Sequence, residues 1–477
     1  MATQEAPPPV PTPPPRSGLD RYFAITERGS NVRTEVVGGV TTFMTMAYIL
    51  FLNPLILSIP DREGTVLDPA AVLTVTALAA GLMTIAMGAV AKVPFALATG
   101  LGLNAVVAFQ FVGASQLTWP EAMGVVVIEG LVILLLVVTR FRQAVMDSVP
   151  LALKQSIAVG IGLFLTIIGF IDAGFVTSTK LPNPPLQLGA GELKGAAVFV
   201  FVFGLLLAIY LFVRRVRAAL LVSILVTTAL AVIVNELVLG GRGFQGKAKV
   251  GAVVDVPSAS SFELVGNFSF GFFAQLGLLA AVLAVFTLML SDFFDTMGTA
   301  FGLGRQAGLV DASGRVENQE RILYVDSAAA AVGGALSASS VTTYIESAAG
   351  IGEGARTGLA SLVTGVLFLL AVLVSPLARI IPFEAAAPAL VVVGFLLMST
   401  VREIAWDDFE LAIPAFLTIV VMPFTYSITN GIGAGFVTYV FLKVVRGKAR
   451  EVPITMYVAA VAFAIYFGIA YVRALLT

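Results

Sequence analysis

Two carboxylates and two hydroxyls recur at helical spacing within one apolar stretch of the chain. Asp292, Asp295, Thr296 and Thr299 stand at positions i, i+3, i+4 and i+7, which places them on one face of a helix. A charge inside an apolar span costs roughly 2.5–3.5 kcal/mol on insertion scales, so these groups should face protein or a water-filled cavity. The spacing predicts a substrate or proton role for at least one acid, with a helix cap or an interhelical hydrogen bond as the alternative.

Two short segments carry the other polar candidates for a site. Glu346 lies centrally in segment 339–353, and Asn104 lies in segment 94–110, close to two glycines. Both segments are shorter than the roughly 20 residues that a full crossing requires. Interrupted segments leave backbone groups free to meet a ligand, and asparagine supplies both a donor and an acceptor. The alternatives are an ion pair between Glu346 and an arginine such as Arg356, and a packing role for the glycines.

Other acids in or near apolar runs are weaker candidates. Glu129 and Asp326 are expected to serve as structural hydrogen-bond partners. Glu410 follows Trp406 at a predicted membrane interface and is expected to be solvated.

The composition of the chain indicates a membrane protein. Of its 477 residues, 58% are hydrophobic and 12% are charged, whereas soluble domains average about 25% charged residues. Its 28 Lys and Arg balance its 29 Asp and Glu, so no basic excess suggests nucleic acid as a partner. Cysteine and histidine are absent, which removes thiolate chemistry, the usual metal ligand and the usual proton switch. Any proton handling must therefore depend on carboxylates, and the lipid bilayer is the expected solvent.

The apolar segments divide the chain into two sets of seven and a remainder. The short segments are third in each set, and an odd number of spans per repeat inverts one half relative to the other. The last segment is left over as an additional C-terminal helix. The predicted segments are 36–58, 70–91, 94–110, 120–139, 150–171, 195–213, 218–239, 272–300, 323–337, 339–353, 357–378, 385–401, 409–427, 429–445 and 453–475.

A weak internal similarity supports this division. The fifth segment has Pro150 near its start and Gly162 further on, and the twelfth has Pro382 and Gly394. The spacing from proline to glycine is twelve residues in both segments. Fifth and twelfth are equivalent ranks in two repeats of seven, although two apolar helices can share such a pattern by chance.

The distribution of basic residues predicts the orientation. If each segment is one crossing, the basic clusters share one face, which the positive-inside rule assigns to the cytoplasm together with the N-terminus. We expect a multi-pass protein of a bacterial-type inner or plasma membrane. Residues 1–17 are proline-rich and predict a disordered tail. The clusters are Arg16, Arg21, Arg28 and Arg33; Arg140 and Arg142; Arg214, Arg215 and Arg217; Arg305, Arg315 and Arg321; and Lys443, Arg446, Lys448 and Arg450.

Several stretches resemble the AzgA-like hypoxanthine/adenine/guanine permeases, a branch of the nucleobase transporter superfamily. The similarity covers nearly the whole chain beyond the tail, and the motifs of the eighth and tenth segments are specific in combination. One departure is Ala98-Thr99-Gly100, where the family pattern has a proline. The similar stretches are Leu19 to Phe23, Thr34 to Tyr48, Gly102 to Ala105, Asp292 to Thr299, Ser340 to Ile351, Trp406 to Asp408 and Ile413 to Thr418.

The resemblance implies an all-α polytopic fold with fourteen transmembrane segments in a 7+7 inverted repeat. Within a transmembrane domain over 18–477, a core domain would comprise about 36–145 and 272–378, and a gate domain about 148–240 and 380–446. The third and tenth segments would contain short strands, and a base would bind between these strands and the eighth helix. A homodimer formed through the gate domain is also implied.

The resemblance further implies uptake of purine nucleobases coupled to protons. Asn104, Asp292 and Glu346 would contact the base, with Tyr344 as an aromatic neighbour. The remaining predicted base-site residues are Gly102, Thr296, Thr343 and Ser347. The proton would be carried by Glu346, Asp292 or Asp295, and we expect removal from water to favour the protonated carboxyl groups. No metal or cofactor is expected, and a proton is favoured over sodium.

Three other classes of function remain as alternatives. An anion or carboxylate transporter on the same scaffold predicts a cationic site, yet the third, eighth and tenth segments contain no Lys or Arg. A channel predicts a polar stripe along several spans. A membrane enzyme predicts a nucleophile–base or metal constellation, for which a chain without His or Cys offers only carboxylates. The sequence leaves the preferred purine open.

Overall fold

The computed structural model describes residues 18–139, 149–178, 186–188, 193–310 and 316–476. The predicted proline-rich tail, Arg140, Arg142 and Arg315 lie outside these ranges. The first half contains α1 (Gly18–Phe23), α2 (Val32–Met46), α3 (Ile49–Ile56), α4 (Pro69–Ala86), β1 (Leu97–Thr99), α5 (Leu101–Ala105), α6 (Trp119–Val138), α7 (Leu151–Asp172), β2 (Val176–Ser178), β3 (Leu186–Leu188), α8 (Ala196–Val213) and α9 (Ala219–Leu237).

In its described residues, the second half of the chain contains long helices and one short strand. It contains α10 (Phe272–Leu276), α11 (Leu278–Gln306), α12 (Gln319–Ala335), β4 (Val341–Thr343), α13 (Ser347–Gly352), α14 (Gly358–Leu370), α15 (Leu377–Ile380), α16 (Phe383–Met398), α17 (Phe409–Thr425), α18 (Ile428–Val445) and α19 (Ile454–Leu476). Helices α4 and α5 continue as π-helices over Met87–Ala91 and Val106–Ala114.

The length and polarity of the helices confirm a polytopic α-helical membrane protein. In the part of the chain that the structure describes, eight helices are long and apolar enough to cross a membrane, and five further apolar helices are shorter. Apolar side chains on α8, such as Leu206, Tyr210 and Val213, point outward from the protein. An outward apolar face of this kind is suited to lipid.

The predicted strands in the third and tenth segments are present. Strand β1 pairs antiparallel with β4, with Leu97 opposite Thr343 and Thr99 opposite Val341. Both strands are fully buried. Non-helical backbone at membrane depth needs partners inside the protein, and each strand satisfies the other. The pairing joins the two interrupted segments into one element between the halves of the chain.

The helices pack into two groups that share both halves of the sequence. In the first bundle, α11 and α12 both pack against α6, and α14 packs against α2 and α4. Glycines permit close contact there: a Cβ on Gly81 would meet the carbonyl oxygen of Gly365 at 2.9 Å, and Gly130 lies against the backbone of Ala331. The first bundle therefore comprises α2 to α6 and α10 to α14.

The second bundle comprises α7 to α9 and α16 to α18. Helix α16 packs against α7, α8 and α9, and α17 packs against α7 and α18. Gly162 of α7 and Gly394 of α16 face each other, since a Cβ on either one would meet the other's carbonyl oxygen at 2.7 or 2.5 Å. These are the two glycines with matching distances from a proline, so their reciprocal contact supports the proposed equivalence of the fifth and twelfth segments.

The C-terminal end of the chain is folded onto the second half. Helix α19 packs against α18 and α11, with Phe463 buried beside Phe436.

The expectation that Glu410 is solvated was wrong. Its side chain is buried and lies 3.0 Å from Lys443 Nζ and 2.7 Å from Lys448 Nζ. Burying this carboxylate is tolerable because cations compensate its charge.

Candidate functional site

A buried aspartate organises the region around the paired strands. Asp326 of α12 accepts hydrogen bonds from the Thr343 backbone N–H at 3.0 Å and from the Thr343 hydroxyl at 2.8 Å. Its second oxygen accepts from the Thr296 hydroxyl of α11 at 2.7 Å. Asp326 therefore fixes β4 and α11 relative to α12, which confirms the structural role expected for it.

Two of the predicted base-site residues are thereby part of this support. The hydroxyls of Thr296 and Thr343 point to Asp326, and each side chain is 1% exposed. Thr296 is also 2.8 Å from the Thr342 hydroxyl. Their direct contact with a base remains a prediction. The structure places both beside the site as residues that hold its framework.

Ser347 and Tyr344 connect the tenth segment to the third. The Ser347 hydroxyl accepts from the Ala96 backbone N–H at 3.0 Å and donates to the Tyr344 carbonyl at 2.8 Å. The Tyr344 hydroxyl donates to the Thr99 carbonyl at 2.5 Å. Because these bonds use both hydroxyls, Tyr344 offers a ring rather than a free O–H to a ligand.

Asn104 and Asp292 bring unpaired acceptors to the centre of the first bundle. Asn104 is fully buried, and its amide donates to the Thr99 hydroxyl at 3.2 Å. Among the residues that the structure describes, none donates a hydrogen bond to Asn104 Oδ1 or to either carboxylate oxygen of Asp292, which is 1% exposed. Buried polar atoms are nearly always paired, so three unpaired acceptors from two predicted base-contacting residues require an explanation.

Glu346 differs from these residues because it is partly exposed. Its carboxylate accepts a hydrogen bond from the Tyr48 hydroxyl at 2.5 Å. The alternative ion pair with Arg356 does not form, since that guanidinium donates to the carbonyls of Ile351 and Ala355. Sequence reasoning did not identify Tyr48 as part of the site. Its signal in the sequence was its place at the end of the similar stretch Thr34 to Tyr48, and in the structure it lies at the break between α2 and α3.

Two cavities reach the site from the groove between the bundles. The first has a volume of about 830 Å³ and is lined by Ser291, Asp295 and Thr299 of α11, by Gly102 and Leu103 of α5, and by residues of α7 and α16. The second has a volume of about 960 Å³. It is lined by Tyr48, Glu346 and Arg217, and by residues of α8 and α16. Ile345 lines the first cavity and Glu346 the second, so the cavities flank this turn.

The predicted acid face of α11 is split by the structure. Asp295 is exposed at the wall of the first cavity, whereas Asp292, one turn earlier, is sealed beneath it. Gly102 also lines this cavity and lies against Ile161 of α7. The predicted residues thus form one continuous region, but only Gly102, Asp295 and Glu346 line the cavities in this conformation.

Glu129 makes a structural hydrogen bond, as expected from the sequence, and it also lies next to a predicted site residue. It lies on α6, is fully buried, and accepts from the Ser340 hydroxyl at 3.3 Å. Its carboxyl group is within hydrogen-bonding reach of Asp292. A buried glutamate in an apolar helix was visible in the sequence, but its neighbour across the bundle was not.

Sequence comparison places this architecture in a known family. Residues 33–434 match the Permease family profile Xan_ur_permease. The chain belongs to this family. It is 38% identical to adenine permease AdeQ of Escherichia coli (strain K12) over 449 residues, covering 94% of this chain and 95% of the relative. It is 36% identical to guanine/hypoxanthine permease PbuG of Bacillus subtilis (strain 168) over 458 residues, covering 94% and 99%.

Solved structures of other transporters share the fold of this family member. The transmembrane domain of the cyanobacterial bicarbonate transporter BicA matches with a TM-score of 0.60 and 15% identity, covering 85% of this chain and 97% of that one. SLC26A9 matches with a TM-score of 0.56 and 12% identity, covering 91% and 67%. At such low identity the likeness concerns the fold alone. It confirms the predicted 7+7 architecture, and the permease family indicates a transporter rather than an enzyme.

Proposed function

We propose that this permease carries purine nucleobases into the cell together with protons. The observation that carries the proposal is the set of unpaired acceptors on Asn104 and Asp292, next to a cavity between two helix bundles. A purine presents N–H donors along its edge, and such donors are what these oxygens lack. Relatives at 36–38% identity over most of the chain are named adenine and guanine/hypoxanthine permeases.

The base would lie between the paired strands and α11. Asn104 and Asp292 would accept from its N–H groups, Glu346 would contact it from the tenth segment, and the Tyr344 ring would pack against it. In a water-poor site each bond matters, because the alternative is an unpaired buried group. Since Asn104 and Asp292 are sealed here, binding requires a local opening from the first cavity, at Leu103 and Asp295.

The charges of the site favour a neutral base with a proton over an anion. The eighth and tenth segments supply carboxylates, and the third, eighth and tenth segments contain no Lys or Arg. Glu346, Asp292 and Asp295 are the acids that we assign to proton coupling. A protonated carboxyl can enter the occluded site with the base, and its proton can leave on the opposite side.

Alternating access would move the first bundle, as the core, against the second bundle, as the gate. The two cavities reach Gln319 and Arg217, in segments that the basic clusters assign to the cytoplasm. We therefore propose that the N-terminus is cytoplasmic, that the protein lies in the inner or plasma membrane, and that the present conformation faces inward. The halves would be inverted repeats, and a homodimer would form through the gate.

Thermal-shift screening of the purified protein tests the substrate. Adenine, guanine and hypoxanthine should stabilise it, whereas bicarbonate and small carboxylates should not; the reverse pattern would identify the anion transporter. Asp292→Asn should weaken base binding about 5- to 150-fold, corresponding to one lost hydrogen bond of roughly 1–3 kcal/mol. An unchanged dissociation constant would remove Asp292 from the site.

The coupling residue is tested in reconstituted vesicles. Glu346→Gln should abolish uptake driven by a pH gradient, and full uptake by this variant would exclude Glu346 from the mechanism. Glu403→Gln is the matched control, because Glu403 lines the first cavity away from the strands and its carboxylate accepts a hydrogen bond from Gln155 of α7. This control should retain uptake.

A further inference from the structure

A pair of carboxyl groups lies behind the proposed base site. Glu129 of α6 and Asp292 of α11 are 0% and 1% exposed and lie within hydrogen-bonding reach of each other. Among the residues that the structure describes, only one of their four oxygens has a hydrogen-bond donor: Glu129 Oε2, which accepts from Ser340. The other three oxygens are sealed from solvent and unpaired. The missing partner at the centre of this pair is a donor.

The surroundings of the pair add negative charge. Asp326 lies close enough to interact electrostatically with both carboxyl groups. Asp295 lies within the same range of Asp292, and Glu346 lies within it of Asp295. Segments 119–139, 278–304 and 322–355 contain no Lys or Arg. Two carboxylates that share a dry site cannot both ionise without a cation to compensate them.

The pair is held in place by close backbone packing. Gly130, next to Glu129, lies against the backbone of Ala331 in α12. Gly334 lies against α6, since a Cβ there would meet the Val127 nitrogen at 2.8 Å. Helices α6 and α12 cannot separate without losing these contacts, and α11, which carries Asp292, packs directly against α6. A proton is small enough to fit the existing geometry.

We propose that Glu129 and Asp292 hold one proton between them and that this shared proton is the one that accompanies the base. One carboxyl group donates its O–H to the other, and the proton exchanges with the first cavity through Asp295, one turn further along α11. When the site opens towards the first cavity and the base leaves, water reaches the pair, both carboxyl groups can ionise, and the proton leaves to the same side as the base. The inference rests on the proposed function and adds Glu129 to its proton-carrying residues.

The test measures protons and base separately in the full-length protein. Wild type in weak buffer with a pH indicator should take up protons as adenine, guanine or hypoxanthine binds. Glu129→Gln should still bind the base and exchange it across vesicles, but should take up no protons and should not accumulate the base under a pH gradient. Thr287→Val is the control, because it removes a buried, unpaired hydroxyl of α11 without removing a titratable group.

Several results would overturn the inference. The first is accumulation of the base by Glu129→Gln under a pH gradient at the wild-type level. The second is loss of base binding by a folded Glu129→Gln. The third is accumulation of the base by wild type that requires sodium instead of protons. If Glu129→Gln does not fold, Glu129→Asp keeps a carboxyl group and should retain proton uptake on binding. Wild type that binds a purine without proton uptake refutes this inference alone, whereas wild type that binds no purine refutes the proposed function.

Discussion

A methyl group added at Gly102 should block the conformation seen here. Gly102 lines the first cavity at the boundary between the bundles, and an added Cβ would lie 2.8 Å from Ile161 Cγ2 and 3.6 Å from Ile161 Cδ1. Carbon atoms in favourable contact are about 3.5–4.0 Å apart. Gly102→Ala therefore forces α5 and α7 apart in this conformation, and a conformation in which they have moved is unaffected.

The size of the effect follows from the overlap. Forcing an extra methyl group into packed surroundings costs about 1–3 kcal/mol. If that cost applies to one conformation only, its population falls about 5- to 150-fold relative to the other. Ile161→Ala removes Cγ2, the atom that clashes, together with Cδ1, and leaves Ile161 Cβ at 4.0 Å, an ordinary contact. The double variant should therefore recover the wild-type distribution.

Cysteine labelling measures this distribution directly. The chain has no cysteine, so Ala158→Cys places a single reactive thiol at the wall of the first cavity. Its rate of reaction with a membrane-impermeant maleimide should fall with Gly102→Ala and recover when Ile161→Ala is added. Gly113→Ala is the control, since a Cβ there meets nothing closer than 3.6 Å. Equal labelling in all four proteins, or a loss that Ile161→Ala does not reverse, would refute the contact as the cause.

Two further substitutions separate a framework contact from a surface contact. Asp326→Ala removes the hydrogen-bond acceptor for Thr296 and for both donors of Thr343. Each buried donor left unpaired costs roughly 1–3 kcal/mol. The variant should therefore unfold in detergent at a clearly lower temperature than wild type. Asp326→Asn keeps an acceptor and should lose less; equal stability of both variants and wild type would contradict the framework role. Arg217→Gln breaks an ion pair with Glu353 that joins the bundles, but the arginine side chain is 62% exposed and such pairs contribute about 0–1 kcal/mol. Its uptake rate should change by at most about fivefold, and a complete loss would show that the pair controls movement.

Local patterns in the sequence predicted the interrupted segments and the acid-bearing helix. Segments 94–110 and 339–353 could be recognised because a span needs about 20 residues and these fall short. The structure shows the paired strands that the family resemblance implied for these segments. Helical spacing also placed Asp292 and Asp295 on one face, but it could not show that one is sealed and the other lines a cavity.

Contacts between distant parts of the chain were not predictable in this way. Tyr48 meets Glu346 across nearly 300 positions, and Glu129 meets Asp292 from the other half of the chain. Spacing reports only neighbours on the same helix, so such pairs depend on how the helices pack. The prediction that Glu410 is solvated was wrong for the same reason, because its cationic partners Lys443 and Lys448 come from the next helix and the turn that follows it.

The pairing of β1 with β4 sets an order for synthesis and insertion. Leu97 acquires its partner only when Thr343 arrives, more than half the chain length later. Until then the third segment holds extended backbone that lipid cannot satisfy. It must wait at the membrane surface, in the translocon or against a chaperone. A ribosome stalled between these two positions would leave every earlier long helix inserted and the binding site absent.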